Sequence, residues 1–272
     1  MKTNKIGFIG GGNMASSLIS GLIASGHPAQ QIWVADIDAE KLDALAEQLG
    51  VNIGRSNEQL VELSDVLVLA VKPQVLRAVA VGIAPLLERK QPLVVSIAAG
   101  ISQASLAHWL GSRVAVVRCM PNTPALVQTG ATALHANANV SGSQRDLAEN
   151  IMRAVGLALW VDKEADLDAV TAISGSGPAY FFLLMEAMEK SALDFGLDKQ
   201  TARLLVQQTA LGAAKIALES PEQLRKRVTS PGGTTQRAIE TFLDGGFHNL
   251  VAKALHAARE RSIEMSKELE QD

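Results

Sequence analysis

The stretch Ile6-Gly7-Phe8-Ile9-Gly10-Gly11-Gly12-Asn13-Met14-Ala15 decides how the N-terminal half of the chain is read. Four residues of strand character run into three glycines. A segment with helical apolar spacing, Asn13–Ser25, follows and stops at Gly26. In G-x-G-x-x-A spacing between a strand and a helix, each small residue has a task. Gly10 permits the tight turn, Gly12 leaves no Cβ between backbone and a pyrophosphate, and Ala15 lets the helix lie close to the strand. The helix start offers free N–H groups and a partial positive charge to an anion. An ordinary glycine-rich turn is the alternative, and context separates the two. Asp36, at the end of the second strand, lies 24 residues after Gly12. A carboxylate there can accept hydrogen bonds from ribose hydroxyls and would repel a 2′-phosphate, so on its own it favours NADH over NADPH. Asp36 or Asp38 is equally a candidate N-cap for the helix Ala39–Leu49.

Working outward, Ile6–Ile9, Gln31–Asp36, Val66–Val71, Leu93–Ile97 and Val114–Cys119 read as buried strands separated by helical segments. That alternation predicts an α/β fold, a Rossmann-like doubly wound parallel sheet with right-handed crossovers. Ligands of such sheets bind beyond the carboxyl ends of the strands. Two of those ends are Val71-Lys72-Pro73 and Ile97-Ala98-Ala99-Gly100, the second small enough to admit a flat ring. From Glu164 onward strand character is almost absent, and Ala179–Phe195, Lys199–Leu218 and Leu250–Leu269 carry helical spacing. The expected division is a dinucleotide-binding domain over residues 1–162 and an all-α domain over 163–272. A helical half this apolar is expected to bury its surplus by dimerising, the alternative being a self-contained bundle.

Composition narrows the function classes. The chain has 272 residues, 47% hydrophobic and 19% charged, which excludes a disordered or fibrous protein. Aromatic residues are only 4% and the net charge is −3, so neither a base-stacking platform nor a basic nucleic-acid footprint is expected. The longest purely apolar runs, such as Val66–Val71, are too short for a membrane span. One cysteine, Cys119, excludes an internal disulfide and suits the cytoplasm. The five histidines lack metal-ligand spacing, so no metal site is expected.

Three further segments bear on a substrate. Val117-Arg118-Cys119-Met120-Pro121-Asn122-Thr123-Pro124 is a strand entering a loop stiffened by two prolines, able to border a nicotinamide ring or simply to turn. Cys119 reads as a small core residue. Ser174-Gly175-Ser176-Gly177-Pro178-Ala179-Tyr180 interrupts a helical pattern, with Pro178 as a first helical residue capped by Ser176. Thr229-Ser230-Pro231-Gly232-Gly233-Thr234-Thr235 precedes the helical stretch Gln236–Leu243, and Ser230 beside Pro231 reads as the helix start. Two glycines there suggest close approach of a ligand to backbone, and the helix start suits a small carboxylate. A flexible loop tip is the alternative.

Taken in order, IGFIGGGNMA, LAVKPQ, SIAAGIS, VRCMPNTPA, VTAISGSGPAYFF, QTALGAAK and TSPGGTTQRAIETF make the chain resemble the pyrroline-5-carboxylate reductases over essentially its full length. The resemblance implies reduction of the C=N bond of 1-pyrroline-5-carboxylate to L-proline, the last step of proline biosynthesis, with hydride from NADPH or NADH. It also implies a Rossmann domain, a helical dimerisation domain, and dimers that often assemble into decamers. Carried over residue by residue, it places Gly10, Gly11, Gly12, Asn13 and Met14 on the pyrophosphate. Asn57, Ala70, Val71, Lys72 and Pro73 line the adenosine and ribose side. Ala98 and Ala99, with Met120, Pro121 and Asn122, border the nicotinamide. Ser230, Gly233 and Thr234 hold the substrate carboxylate, Thr235 hydrogen-bonds the ring nitrogen, and Glu164 lies near the same pocket. Relatives that bind a 2′-phosphate often carry serine in place of Asp36, and some have asparagine in place of Arg227. A dehydrogenase of 3-hydroxy acids shares this two-part plan, but such enzymes place a catalytic lysine in the helical half. The nearest candidate, Lys190, lies near the end of an amphipathic helix.

Overall fold

A computed structural model describes residues 4–271 of the chain. By internal contacts it forms two compact units. One runs from the N-terminus through Ser176 and includes the residues from Ala258 onward; the other is Gly177–Ala257.

The first unit is built on an eight-stranded sheet in the order β3-β2-β1-β4-β5-β6-β7-β8. Its strands are β1 (Ile6–Ile9), β2 (Ile32–Ala35), β3 (Asn52–Ile53), β4 (Val66–Leu69), β5 (Leu93–Ser96), β6 (Val116–Met120), β7 (Gly130–Ala136) and β8 (Gly156–Trp160). Neighbours from β3 to β6 pair in parallel. Consecutive residues of the central strands face opposite layers. Ile6, Phe8, Val66, Val68, Leu93 and Val95 pack on one side with α1 (Asn13–Ala24), α2 (Ala39–Leu49) and α6 (Gly142–Arg153). Ile9, Leu67, Leu69 and Val94 pack on the other, with α3 (Asn57–Leu63), α4 (Pro73–Lys90) and α5 (Gln103–Leu110). Helices on both faces explain why these strands are continuous apolar runs without alternation.

Helix ends follow local chemistry. Asp38 caps α2 by accepting from the Lys41 amide at 3.2 Å, so of the two candidate caps Asp36 is not the one used. Ser56 and Ser102 cap α3 and α5, and Ser141 with Gln144 forms a reciprocal capping box on α6. α1 closes with the Gly26 and His27 amides returning to the carbonyls of Ile23 and Leu22.

The sheet extends beyond the expected strands. β7 and β8 lie past β6, and the β6–β7 pair is antiparallel, the one departure from parallel pairing. Their sequences, Gly-Ala-Thr-Ala-Leu-His-Ala and Gly-Leu-Ala-Leu-Trp, are rich in small residues, so they lack the β-branched runs that mark the inner strands. β8 is the edge, and its outward Leu157 and Leu159 are exposed. Gly130 and Gly156 face each other at the start of this pair, where a Cβ on Gly156 would lie 2.1 Å from the Gly130 carbonyl oxygen.

After β8 the chain forms α7 (Asp166–Val170), and a wide π-type turn over Thr171–Gly175 brings the Ser176 amide to the Thr171 carbonyl at 2.8 Å. The helical pattern thus reaches Gly175 where the sequence suggested a break at Ser174. The second unit contains α8 (Gly177–Asp194), α9 (Lys199–Ile216), α10 (Pro221–Arg227), α11 (Thr234–Asp244) and the first part of α12 (Phe247–Gln271), whose remainder belongs to the first unit. α8 starts at Gly177, so Pro178 is its second residue. α8 packs against α9, and Asp198 caps α9 by accepting from the amides of Gln200 and Thr201. Phe181, Phe182 and Leu183 stay about two-thirds exposed (68%, 63% and 66%).

Gly156 adopts φ +145°, a conformation that an L side chain resists, and the facing strand leaves no room. Gly156→Ala is expected to destabilise the protein by about 3 kcal/mol in urea unfolding. A loss below about 1 kcal/mol would show that β7 and β8 need not approach so closely.

Candidate active site

The glycine turn lies at the carboxyl edge of the sheet, between β1 and α1. The Gly10 amide donates to the Ala35 carbonyl at 2.8 Å, tying the turn to the end of β2. Gly10 has φ +103°, and a Cβ there would lie 2.6 Å from the Ala70 carbonyl oxygen. The turn therefore presses on the Ala70–Val71 segment at the end of β4. A Cβ on Gly12 would meet nothing within 4 Å, so that side of the turn is open. Gly12 is the N-cap of α1 and no side chain caps this helix. The first-turn amides of Asn13, Met14 and Ala15 have no acceptor within the helix. Open space in front of unpaired amides at a helix start suits a pyrophosphate.

Asp36 is integral to this turn. Its Oδ2 accepts from the Gly11 amide at 2.7 Å and its Oδ1 from the Asp38 amide at 3.0 Å. Gly10, Gly11, Asp36, Ala70 and Val71 are thus brought together. Asn57 opens α3 beyond the β3 end, behind its cap Ser56. Lys72 is the exposed N-cap residue of α4 and Pro73 its first residue.

Farther along the same edge, Ala98, Ala99 and Met120 line one cavity together with Gly100, Arg118, Asp168, Thr171 and Ser262. Ser262, on α12, donates to Asp168 Oδ1 at 2.7 Å. A Cβ on Gly100 would lie 3.2 Å from Leu269 Cδ1, so the end of α12 also packs on the Ala98–Gly100 turn. Pro121 and Asn122 are buried beside this cavity. The Asn122 amide group is engaged internally: Nδ2 donates to the Ser174 carbonyl at 3.0 Å and Oδ1 accepts from the Ala131 amide at 2.8 Å. Its side chain ties the proline loop to β7 and to the π-type turn. Cys119, between Arg118 and Met120 on β6, also contributes to the lining but is buried, and burial pushes its thiol well above the usual range.

Glu164 forms an ion pair with Arg118 of β6, and its Oε1 also accepts from the Gln103 amide at the start of α5 at 2.5 Å. The Arg118 side chain is 12% exposed and that of Glu164 31%, so the pair is partly withdrawn from water.

In the second unit, Ser230–Gly233 forms a turn closed by the Gly233 amide on the Ser230 carbonyl at 3.1 Å. α11 begins at Thr234 with Gly233 as its N-cap, so Ser230 is not the cap that the sequence suggested. No side chain caps α11, and the amides of Thr234, Thr235 and Gln236 have no acceptor within the helix. Gln236 Oε1 reaches back to the Gly232 amide at 2.7 Å and holds the turn. Ser230, Gly233, Thr234 and Thr235 therefore surround one open helix start.

Sequence reasoning assigned no role to Arg118, Gln103, Asp168 or Ser262. Arg118 carried a legible signal, since a charge between Val117 and Cys119 in a strand covered on both faces requires a partner. Gln103 and Ser262 carried none, because the groups they meet lie 61 and 94 residues away in the chain.

Comparison with known proteins is consistent across both halves. Residues 164–265 match the family described as pyrroline-5-carboxylate reductase dimerisation, and residues 5–100 match that described as NADP oxidoreductase, coenzyme F420-dependent. A pyrroline-5-carboxylate reductase of Pseudomonas aeruginosa is 54% identical over 274 residues, covering 100% of both chains. The solved structure of a pyrroline-5-carboxylate reductase from Coxiella burnetii is 46% identical, with a TM-score of 0.93 over 97% of this chain and 99% of that one. A Plasmodium falciparum pyrroline carboxylate reductase, solved with NADP bound, is 31% identical, with a TM-score of 0.86 over 98% and 99%.

The burial of Cys119 has a direct chemical consequence. At pH 8 the folded protein is expected to resist a thiol reagent such as DTNB for hours and to react with one equivalent once denatured. Rapid labelling of the native protein would contradict the closed packing around β6.

Proposed function

This chain belongs to the pyrroline-5-carboxylate reductase family, and from that premise we propose that it reduces the C=N bond of 1-pyrroline-5-carboxylate to L-proline with hydride from NADPH or NADH, the last step of proline biosynthesis. The observation that carries this reading is that the likeness to known reductases runs end to end, across both glycine turns. Bound at the carboxyl edge of the sheet, the nicotinamide cofactor supplies the hydride. Gly10, Gly11, Gly12, Asn13 and Met14 would hold its pyrophosphate. Asp36, Asn57, Ala70, Val71, Lys72 and Pro73 would line the adenosine and ribose side. Ala98, Ala99, Met120, Pro121 and Asn122 would border the nicotinamide. The open side of Gly12 and the uncapped start of α1 support that placement.

For the substrate we assign Ser230, Gly233 and Thr234 to the carboxylate, Thr235 to the ring nitrogen, and Glu164 as a further substrate-binding residue. Unpaired amides at the start of α11 suit a small anion. A cyclic iminium already accepts hydride readily, so the chain has to align the reacting carbons at about 3–3.5 Å and orient the nitrogen. A threonine hydroxyl orients that nitrogen well, and its high pKa makes it a weak proton donor.

We place the functional division at 1–162 and 163–272, supported by the change in hydrophobic periodicity and by a dimerisation family match that begins at residue 164. The helical half would join two copies, with the decamer as the higher assembly. The helical run Asp166–Asp194 is by length and composition apolar enough to cross a membrane. We read its exposed Phe181, Phe182 and Leu183 as subunit interface instead, because Glu186, Glu189 and Lys190 follow within the same helix. One buried thiol and a soluble cofactor support our reading of a cytoplasmic enzyme whose partner is its small-molecule substrate.

The reaction is followed at 340 nm with 1-pyrroline-5-carboxylate and each reduced cofactor; absence of turnover with both would overturn the assignment. Thr235→Val is expected to lower kcat by about tenfold or more while leaving the KM for cofactor within about twofold. Unchanged kcat would remove Thr235 from the mechanism. Replacing Asp36 with Ser removes a carboxylate that repels a 2′-phosphate. It is expected to raise the NADPH-to-NADH ratio of kcat/KM by about tenfold. Asp36→Ser also frees the Gly11 amide, so a variant whose ratio stays constant while both KM values rise would make Asp36 a brace of the turn alone.

A further inference from the structure

We propose that Arg118 is a positioning residue for the reductase reaction: with the backbone amide of Gln103 it holds Glu164 by one carboxylate oxygen and leaves the other to the substrate. The proposal rests on the reading of Glu164 as a substrate-binding residue and adds what makes that residue effective. Glu164 lies between β8 and α7, in a connecting segment whose own backbone does not fix a long side chain. Its Oε1 accepts from two donors, the Arg118 guanidinium and the Gln103 amide at 2.5 Å, while Oε2 accepts from no group among the described residues. The side chain is 31% exposed, so the carboxylate is not sealed from solvent.

The two donors are themselves fixed. Arg118 projects from β6, paired with Ser96 of β5 and His135 of β7. Gln103 is the first residue of α5, and its Nε2 donates to the carbonyls of Val116 and His135, both at 3.3 Å. The carboxylate is therefore tied to the sheet at two points, and the positive end of α5 adds to the attraction. The same arginine lines the cavity shared by Ala98, Ala99 and Met120. A carboxylate held against that arginine would favour a protonated ring nitrogen brought to it, the form that accepts hydride. Arg118 keeps the carboxylate from swinging away and offsets its cost of partial burial.

Charge makes the two residues interdependent in a way that a scaffold role does not. Glu164→Gln leaves Arg118 unpaired beside the substrate's protonated ring nitrogen, and Arg118→Met leaves Glu164 held by the Gln103 amide alone. Each single variant is expected to raise the KM for 1-pyrroline-5-carboxylate by about tenfold, the scale of one charge-assisted hydrogen bond, with the KM for cofactor within about twofold of the original. The double variant is expected to show about the same tenfold rise, where independent effects would multiply to about a hundredfold. Arg118→Lys, which keeps the charge, is expected to recover part of the loss, and it carries the cycle if the methionine variant folds poorly. A multiplied loss in the double variant, or a normal substrate KM in Arg118→Met alongside a raised one in Glu164→Gln, overturns the positioning role and leaves the reading of Glu164 standing. A normal substrate KM in Glu164→Gln overturns that reading and this proposal with it.

Discussion

Where β1 gives way to α1, the chain passes so near the end of β4 that no side-chain atom fits between Gly10 and the Ala70 carbonyl. That close passage sets the geometry of the whole cofactor edge. It fixes the direction in which α1 leaves the sheet, and with it the direction of the unpaired amides at the helix start. It places Ala70 and Val71 against the turn. The second glycine turn, Ser230–Gly233, repeats the chemistry in another setting, with an uncapped helix start and a glycine amide held by Gln236. In each case side chains are kept away from the amides that a ligand would need.

Both carboxylates that matter to the proposed chemistry are held by backbone amides. Asp36 takes the amides of Gly11 and Asp38, and Glu164 takes that of Gln103 beside the Arg118 guanidinium. A carboxylate in a loop has freedom to lose on binding, and fixing it beforehand spares that entropy. Asp36 therefore braces the glycine turn, and in the proposed cofactor placement it would also present negative charge to the ribose. This dual use explains why its effect on cofactor choice cannot be separated by sequence inspection from its effect on the turn.

Much of this was legible in the residues themselves. The inner strands were visible because both faces of a central parallel strand are covered, so Val66–Leu69 is apolar at every position and Leu93–Ser96 at all but its last. α2 could be read to the residue, because its helical spacing begins at Ala39 and Gly50 marks its end. β7 and β8 were not legible, since Gly130–Ala136 and Gly156–Trp160 owe their strand form to pairing with partners far away in sequence. The start of α11 was misplaced at Ser230 because a serine before a proline is a common cap, yet the chain first makes a turn through Gly232. Asn122 looked free to face a ligand, and the fold instead engages both ends of its amide group internally.

The sequence alone determined the class of fold and the two glycine turns, because these depend on local spacing: period-two and period-three-point-six patterns, a strand–glycine–helix order, and small residues where backbone must be bare. Tertiary structure alone decided the antiparallel extension of the sheet, the choice of Asp38 over Asp36 as cap, and the meeting of Arg118, Gln103 and Glu164. Those outcomes depend on which groups arrive at the same place when distant segments pack, and partners 46 and 61 residues apart leave no periodic trace in a single chain.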